Sequence, residues 1–222
     1  IEDYWSIRTF DIAIENSTEL TYGLEAAAPI SLSQNYLSYL RKSYFGWMVY
    51  VRPLYEKEVT PDFPPNGINQ RSGGDITVYQ DNKKGSWDVW MMKVGSEPVA
   101  LASDSSDQIN PATDGKTVVW QDNRNGNWDI YAYDLNSSQE VQVTRDPADQ
   151  TYPDIENGAI VWQDNRNGNW DVYLYDRNVQ KEKSICTEPG DQTRPRMKTG
   201  RIVWEDNRRG DKDIYIYENY MP

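Results

Sequence analysis

Histidine is absent from these 222 residues, and cysteine occurs once, as Cys186. Without His there is no ready general base near neutral pH, no imidazole metal ligand and no Ser-His or Cys-His pair. A single Cys closes no internal disulfide, so a disulfide scaffold is excluded. Positive charge is short as well. Lys and Arg number 23 against 35 Asp and Glu, for a net charge of −12. That argues against nucleic acid, whose phosphates need clustered basic side chains, and against anionic lipid. No apolar run is long enough to span a bilayer. No signal peptide is visible and the chain opens on Ile1 rather than Met, as expected of a processed or trimmed end. Phe is scarce too, with three copies, whereas Trp has nine and Tyr sixteen. Rings with a polar handle suit strands that are half buried and half wet.

What is present is a repeated phrase. "VVWQDNRNGNWDIYAYD" at 118–134 returns as "IVWQDNRNGNWDVYLYD" at 160–176. It returns more loosely as "IVWEDNRRGDKDIYIYE" at 202–218 and "ITVYQDNKKGSWDVWMM" at 76–92. Counting back from Trp170, Trp128 and Trp87 reaches Trp47 in a worn fifth copy, with Lys212 one period on. Pro111, Pro153 and Pro195 keep the same phase. Within a period, apolar and aromatic residues alternate between clusters of Asn, Asp and Gly, which reads as strands and turns with no helix. Units of 40 to 45 residues with four strands signal propeller blades.

The expected fold is therefore all-β: one five-bladed β-propeller over residues 1–222, each blade a four-stranded antiparallel sheet. The repeats centre on 36–51, 76–92, 117–134, 160–176 and 202–218. Residues 1–25 align with the end of a period, with a third-strand-like piece at Phe10 to Ile14 and a fourth-strand-like piece at Glu19 to Leu24. An N-terminal strand is thus expected to complete the C-terminal blade and close the ring, removing an exposed edge. Phe10 to Ile14 is then surplus. Residues 1–14 are expected along their own outer edge or passed to a neighbouring subunit, giving a homo-oligomer or filament.

"DNRNGNWDIY" followed by a turn and "EVQVT" resembles the TolB-like propeller repeat, and is most similar to the tandem repeats of large archaeal surface proteins of the methanogen type. The likeness is strong over 76–218. The turns "ENG", "TDG" and "KTG" stand where TolB-like blades often carry "SPDG". The resemblance implies a secreted or cell-surface binding or scaffold module.

The polar centre of the phrase reads in three ways. Asn125-Gly126 and Asn167-Gly168 are hairpin signals, and the flanking acids can accept backbone N–H groups as Asx turns do. The same oxygens at alternate positions suit a hard cation, which makes Asp122, Asp129, Asp164 and Asp171 candidate Ca²⁺ ligands, though the spacing is not that of an EF-hand loop. Trp128 and Trp170, with their Asn and Asp neighbours, suit a repeated sugar site. The bends before each Pro repeat an Asp-Gln pair: Asp107-Gln108, Asp149-Gln150 and Asp191-Gln192. These are expected to ring one mouth of the channel as a ligand-binding face, or to cap loops. A specialised site should lie where copies differ: Gln80, Gln121 and Gln163 become Glu205, and Trp128 and Trp170 become Lys212.

The reading is a non-catalytic extracellular or cell-surface module that contacts protein or polysaccharide and requires no cofactor, with Ca²⁺ as an option. Asn16 and Asn136 head N-glycosylation acceptors in keeping with secretion. The alternative is a glycan-processing enzyme with two carboxylates in the central channel.

Overall fold

The computed structural model of the chain describes the backbone of residues 5–11, 16–24, 30–32, 36–43 and 46–53, and residues 67–218 and 220. Before residue 67, side chains are described only at Ser31, Leu37, Ser38, Tyr39 and Val49. Strand follows strand. β1 (Trp5–Asp11) and β2 (Asn16–Leu24) precede β3 (Ile30–Leu32), β4 (Tyr36–Ser43) and β5 (Gly46–Pro53). Then come β6 (Ile68–Gly73), β7 (Ile76–Asp81), β8 (Asp88–Lys93) and β9 (Val99–Ala102), and β10 (Gln108–Thr113), β11 (Thr117–Asp122), β12 (Asp129–Asp134) and β13 (Gln139–Gln142). The chain continues with β14 (Gln150–Glu156), β15 (Ala159–Asp164), β16 (Asp171–Asp176) and β17 (Lys181–Cys186), and ends in β18 (Gln192–Lys198), β19 (Arg201–Asp206) and β20 (Asp213–Tyr217). Among the described residues no helix is long and apolar enough to cross a membrane.

The sheets are antiparallel meanders in chain order, as a propeller requires. Four blades have side chains described throughout: β6–β9, β10–β13 and β14–β17 with four strands each, and β18–β20 with three. A further three-stranded sheet, β3–β5, leans on β6. The expected five blades of four strands, with an N-terminal strand completing the last, is therefore corrected to four blades of three or four strands. β1 and β2 pair with each other as a separate ribbon, with Phe10 opposite Ser17 and Asp11 opposite Asn16. Glu19 to Leu24 falls within β2 and pairs with β1, and β18–β20 has no fourth strand among the described residues. The physical reason is loop closure. β1 finds β2 across a four-residue link, whereas either strand would reach β20 only by closing a loop of nearly the whole chain. Residues 12–14, the end of the expected surplus strand, lie outside the described residues.

The second strand of a blade explains the near-continuous "AIVW". All six residues of β15 are buried, because a neighbouring blade covers each face. Ile160 and Trp162 pack with Ile130 and Ala132 of the preceding blade. Ala159 and Val161, with Val172 and Leu174 of β16, pack with Ile202 and Trp204 of the following blade. The tight hairpin between β14 and β15 rests on Asn157 and Gly158, with φ of 50° and 79°. Both central residues are left-handed, as the right-handed twist of a two-residue hairpin demands.

Candidate functional site

The two most alike repeated loops, 122–129 and 164–171, spend most of their polar groups on contacts within their own blade. In the blade β14–β17, Asp164 is fully buried and accepts the indole N–H of Trp162 at 2.9 Å, the backbone N–H of Arg166 at 3.0 Å and the guanidinium of Arg166 at 2.6 Å. Arg166 lies over the ring of Tyr173, 4.2 Å from its centroid. Asp122 holds Trp120 and Arg124 in the same way. Asp171 accepts from Asn167 at 2.7 Å and Asn169 at 3.0 Å, and Asp129 accepts from Asn125 at 3.1 Å and Gln142 at 3.0 Å. Burial, opposed by the two Asn donors, raises the pKa of Asp171 above the usual carboxylate range. Across each hairpin Asp122 stands opposite Asp129, and Asp164 opposite Asp171. Among the described residues no group of three or more acid, Cys or His side chains is placed to hold a metal ion.

The Asp-Gln pairs are stitches between blades. Asp149 accepts the backbone N–H of Trp128 at 2.9 Å, and its own N–H donates to Asn165 at 2.9 Å. Asp107 and Asp191 do the same for Trp87 and Trp170, at 3.0 and 3.1 Å. Gln108, Gln150 and Gln192 are fully buried, and their amides donate to carbonyls of the same bends, such as Ala148 at 2.6 Å and Gly190 at 3.0 Å. Trp128 and Trp170 are half-buried. Asn136 lies exposed in the β12–β13 turn, while Asn16 opens β2 rather than sitting in a turn.

The copies part company further in. Each first strand carries a bulge with a residue at positive φ: Asn69 (54°), Asn110 (53°), Tyr152 (53°) and Arg194 (52°). For Tyr and Arg this backbone is strained and persists only where neighbours fix it. A glutamine of the preceding blade supplies that constraint. Gln80 accepts the N–H of Asn110 at 2.8 Å, Gln121 that of Tyr152 at 3.0 Å, and Gln163 that of Arg194 at 2.8 Å. Glu205, in the same place on the last blade, instead pairs with Arg194 at 3.2 Å and Lys212 at 2.9 Å. The Gln-to-Glu and Trp-to-Lys changes thus form one ion pair, and Lys212 holds the Glu205 carboxyl below its usual pKa.

The bulges turn toward a common axial cavity of about 130 Å³, lined by Asn69, Arg71, Asn110, Tyr152 and Arg196, with Pro111 and Pro153 as apolar wall. Beside it, Asp154 feels the charge of both Arg71 and Arg196 and accepts the N–H of Met197 at 2.8 Å. Burial is the largest influence on Asp154 and raises its pKa, against the two guanidinium groups. Burial and the charge of Arg196 together lower the pKa of Arg71. Divergence was expected at Glu205 and Lys212, and Arg71, Asp154 and Arg196 were not singled out from the sequence. The signal was available in the residue after each Pro: Ala112, Asp154 and Arg196 differ in size and in sign of charge.

No protein-family model matches the chain, and no curated protein matches it. Solved structures do. TolB from Acinetobacter baumannii superposes with a TM-score of 0.67 at 13% identity, over 97% of this chain and 57% of that one. The fold is a TolB-like β-propeller. The β-propeller domain of the Trilobed protease from Pyrococcus furiosus gives a TM-score of 0.73 at 12% identity, over 96% of this chain and 71% of that one. Pyrococcus horikoshii acylaminoacyl peptidase gives 0.72 at 15% identity, but this chain spans only 40% of its length. At such identities the likeness is one of fold, and fold does not carry activity with it.

Proposed function

We propose that this TolB-like propeller is a non-catalytic binding module of the cell surface or extracellular space, which contacts a protein or polysaccharide through the mouth of its axial cavity. One observation carries the reading. Most polar groups of the repeated loops are engaged in contacts within and between blades, while the axial positions diverge into unlike polar side chains held on a strained, clamped backbone. Repeats keep what folding needs, so divergence at clamped positions points to use. The extracellular setting draws support from the resemblance of the repeats to archaeal surface proteins and from Asn136, a glycan acceptor in an exposed turn. Hydrolysis of a glycosidic bond needs two carboxyl groups flanking it. Among the described residues no acid lines the cavity, and Asp154 lies beside it.

Arg194 is exposed and stands over the ring of Tyr152, 5.9 Å from its centroid, at the mouth. The test is binding of the full chain to glycan and protein arrays, with Tyr152→Ala and Arg194→Ala alongside. The expected result is a bound class for the wild type and at least about a tenfold weaker signal for both variants, with unchanged melting. Array signals equal in all three proteins overturn this site, and a wild type that cleaves an arrayed glycan overturns the non-catalytic reading.

A further inference from the structure

Just beyond each axial bulge the four blades carry Arg71, Ala112, Asp154 and Arg196. Two of the four are guanidinium groups, and both face the same cavity of about 130 Å³. They come from β6 and β18, the first strands of the first and last of the four fully described blades. Burial and the nearby charge of Arg196 both disfavour the charged form of Arg71. Among the described residues, Arg196 donates only to the carbonyl of Pro195, at 3.2 Å, and Arg71 forms no ion pair. Asp154 attracts both, yet its carboxyl is spent on the backbone of Met197 and lies within ion-pair distance of neither. Among the described residues, a chain of net charge −12 has thus gathered two cations and one acid at this cavity. Like charges turned into one small space are unfavourable unless negative charge comes between them.

We propose that the axial cavity is an oxyanion site, in which Arg71 and Arg196 clamp a single carboxylate or phosphate group between them. The inference rests on the binding-module reading and names the chemistry of its innermost contact. Guanidinium forks match the planar edge of a carboxylate and the oxygens of a phosphate through paired N–H donors. A cavity of about 150 Å³ takes a molecule the size of benzene, so this one admits the anionic group of a ligand and not a whole hexose. Tyr152 and the two prolines supply an apolar wall beside the guanidinium groups, and a lower local dielectric strengthens a charge interaction.

The test uses the full chain, melted and titrated calorimetrically in chloride, acetate and inorganic phosphate at matched ionic strength. A ligand of the folded state raises the melting temperature by mass action. Acetate or phosphate is expected to raise it above chloride in a saturable way, and Arg71→Gln and Arg196→Gln each abolish the rise. Asp154→Asn removes the competing carboxyl and tightens the apparent Kd several-fold. A response to acetate alone identifies a carboxylate ligand, and to phosphate alone a phosphoryl group; both support the clamp. No rise over chloride, or equal rises in wild type and both Gln variants, overturns it. Should an Arg variant fail to fold, Asp154→Asn decides, since an unchanged or weaker Kd rejects the clamp. A wild type that binds its array partner but ignores all three anions rejects the clamp alone and leaves the binding module standing.

Discussion

The blades β14–β17 and β18–β20 share nearly one phrase, and inside the hairpin they behave as one. Trp162 donates to Asp164 at 2.9 Å and Trp204 to Asp206 at 3.0 Å. Trp162 stacks on Tyr173 with centroids 6.3 Å apart, and Trp204 on Tyr215 at 6.2 Å. Outside the hairpin they part. Val172 and Leu174 of β16 are fully buried, whereas their counterparts Ile214 and Ile216 of β20 are 73% and 51% exposed. Arg166 reaches Glu182 on its own fourth strand at 2.8 Å, while Arg208, with no such strand among the described residues, donates to Cys186 of the preceding blade at 2.8 Å. The same residues make the same hairpin in both places. Their burial is decided by what packs against the outward face.

The largest test of this comparison is on the face that both blades share. Trp162→Ala and Trp204→Ala are each expected to cost about 3–5 kcal/mol, because both indoles are buried against a preceding blade. Equal losses in chemical denaturation confirm that the two inward faces are equivalent, and a much smaller loss at Trp204 breaks it. On the outward face the blades should diverge. Leu174→Ala is expected to cost about 2–5 kcal/mol and Ile216→Ala under about 0.5 kcal/mol. A loss near that of Leu174 at Ile216 would mean that something covers β20 in solution, and a concentration-dependent melting temperature would identify it as a second copy.

The clamp residue gives a smaller contrast. Gln163→Ala strips the partly buried N–H of Arg194 of its acceptor, at about 1–3 kcal/mol. Glu205→Ala removes ion pairs to exposed Lys212 and Arg194, expected at about 0–1 kcal/mol. Comparable losses would refute the assignment of Gln163 as an inter-blade clamp. The smallest effect lies at the axis, where Asp154 and Arg196 occupy one repeat position. A raised pKa in the folded state means that Asp154 contributes stability fully below its unfolded pKa, and that this is lost as pH rises through its folded pKa. An amide in place of this carboxyl does not titrate, yet its side-chain oxygen still accepts from Met197. The melting temperature of Asp154→Asn relative to wild type should therefore climb as pH rises above about 4. A difference that stays flat or falls over this range counts against the buried carboxyl.

Much of this was legible before the structure. The 42-residue return from Trp128 to Trp170, the alternation of "WDVYLYD" and the Asn-Gly pairs fix strands and hairpins, because each depends on residues a few positions apart. The bulges were not legible, since nothing in Tyr152 or Arg194 announces a positive φ. It is imposed by Gln121 and Gln163, each 31 positions earlier in the chain. The Asp-Gln pairs show the limit from the other side. Their recurrence was plain, but whether Gln150 faces a ligand or its own bend depends on what surrounds it, and it is buried.

By itself, then, the sequence determined the all-β class, the blade period, the polar hairpin loops and the lack of imidazole and disulfide chemistry, all of which follow from composition and local pattern. Only the tertiary structure decided that β1 pairs with β2 instead of closing on β20, that Ile216 is bare where Leu174 is buried, and that Arg71 and Arg196 share one cavity. Those outcomes rest on interactions between residues up to 125 positions apart, where loop closure, burial and charge are set by the neighbours that packing supplies and not by neighbours in the chain.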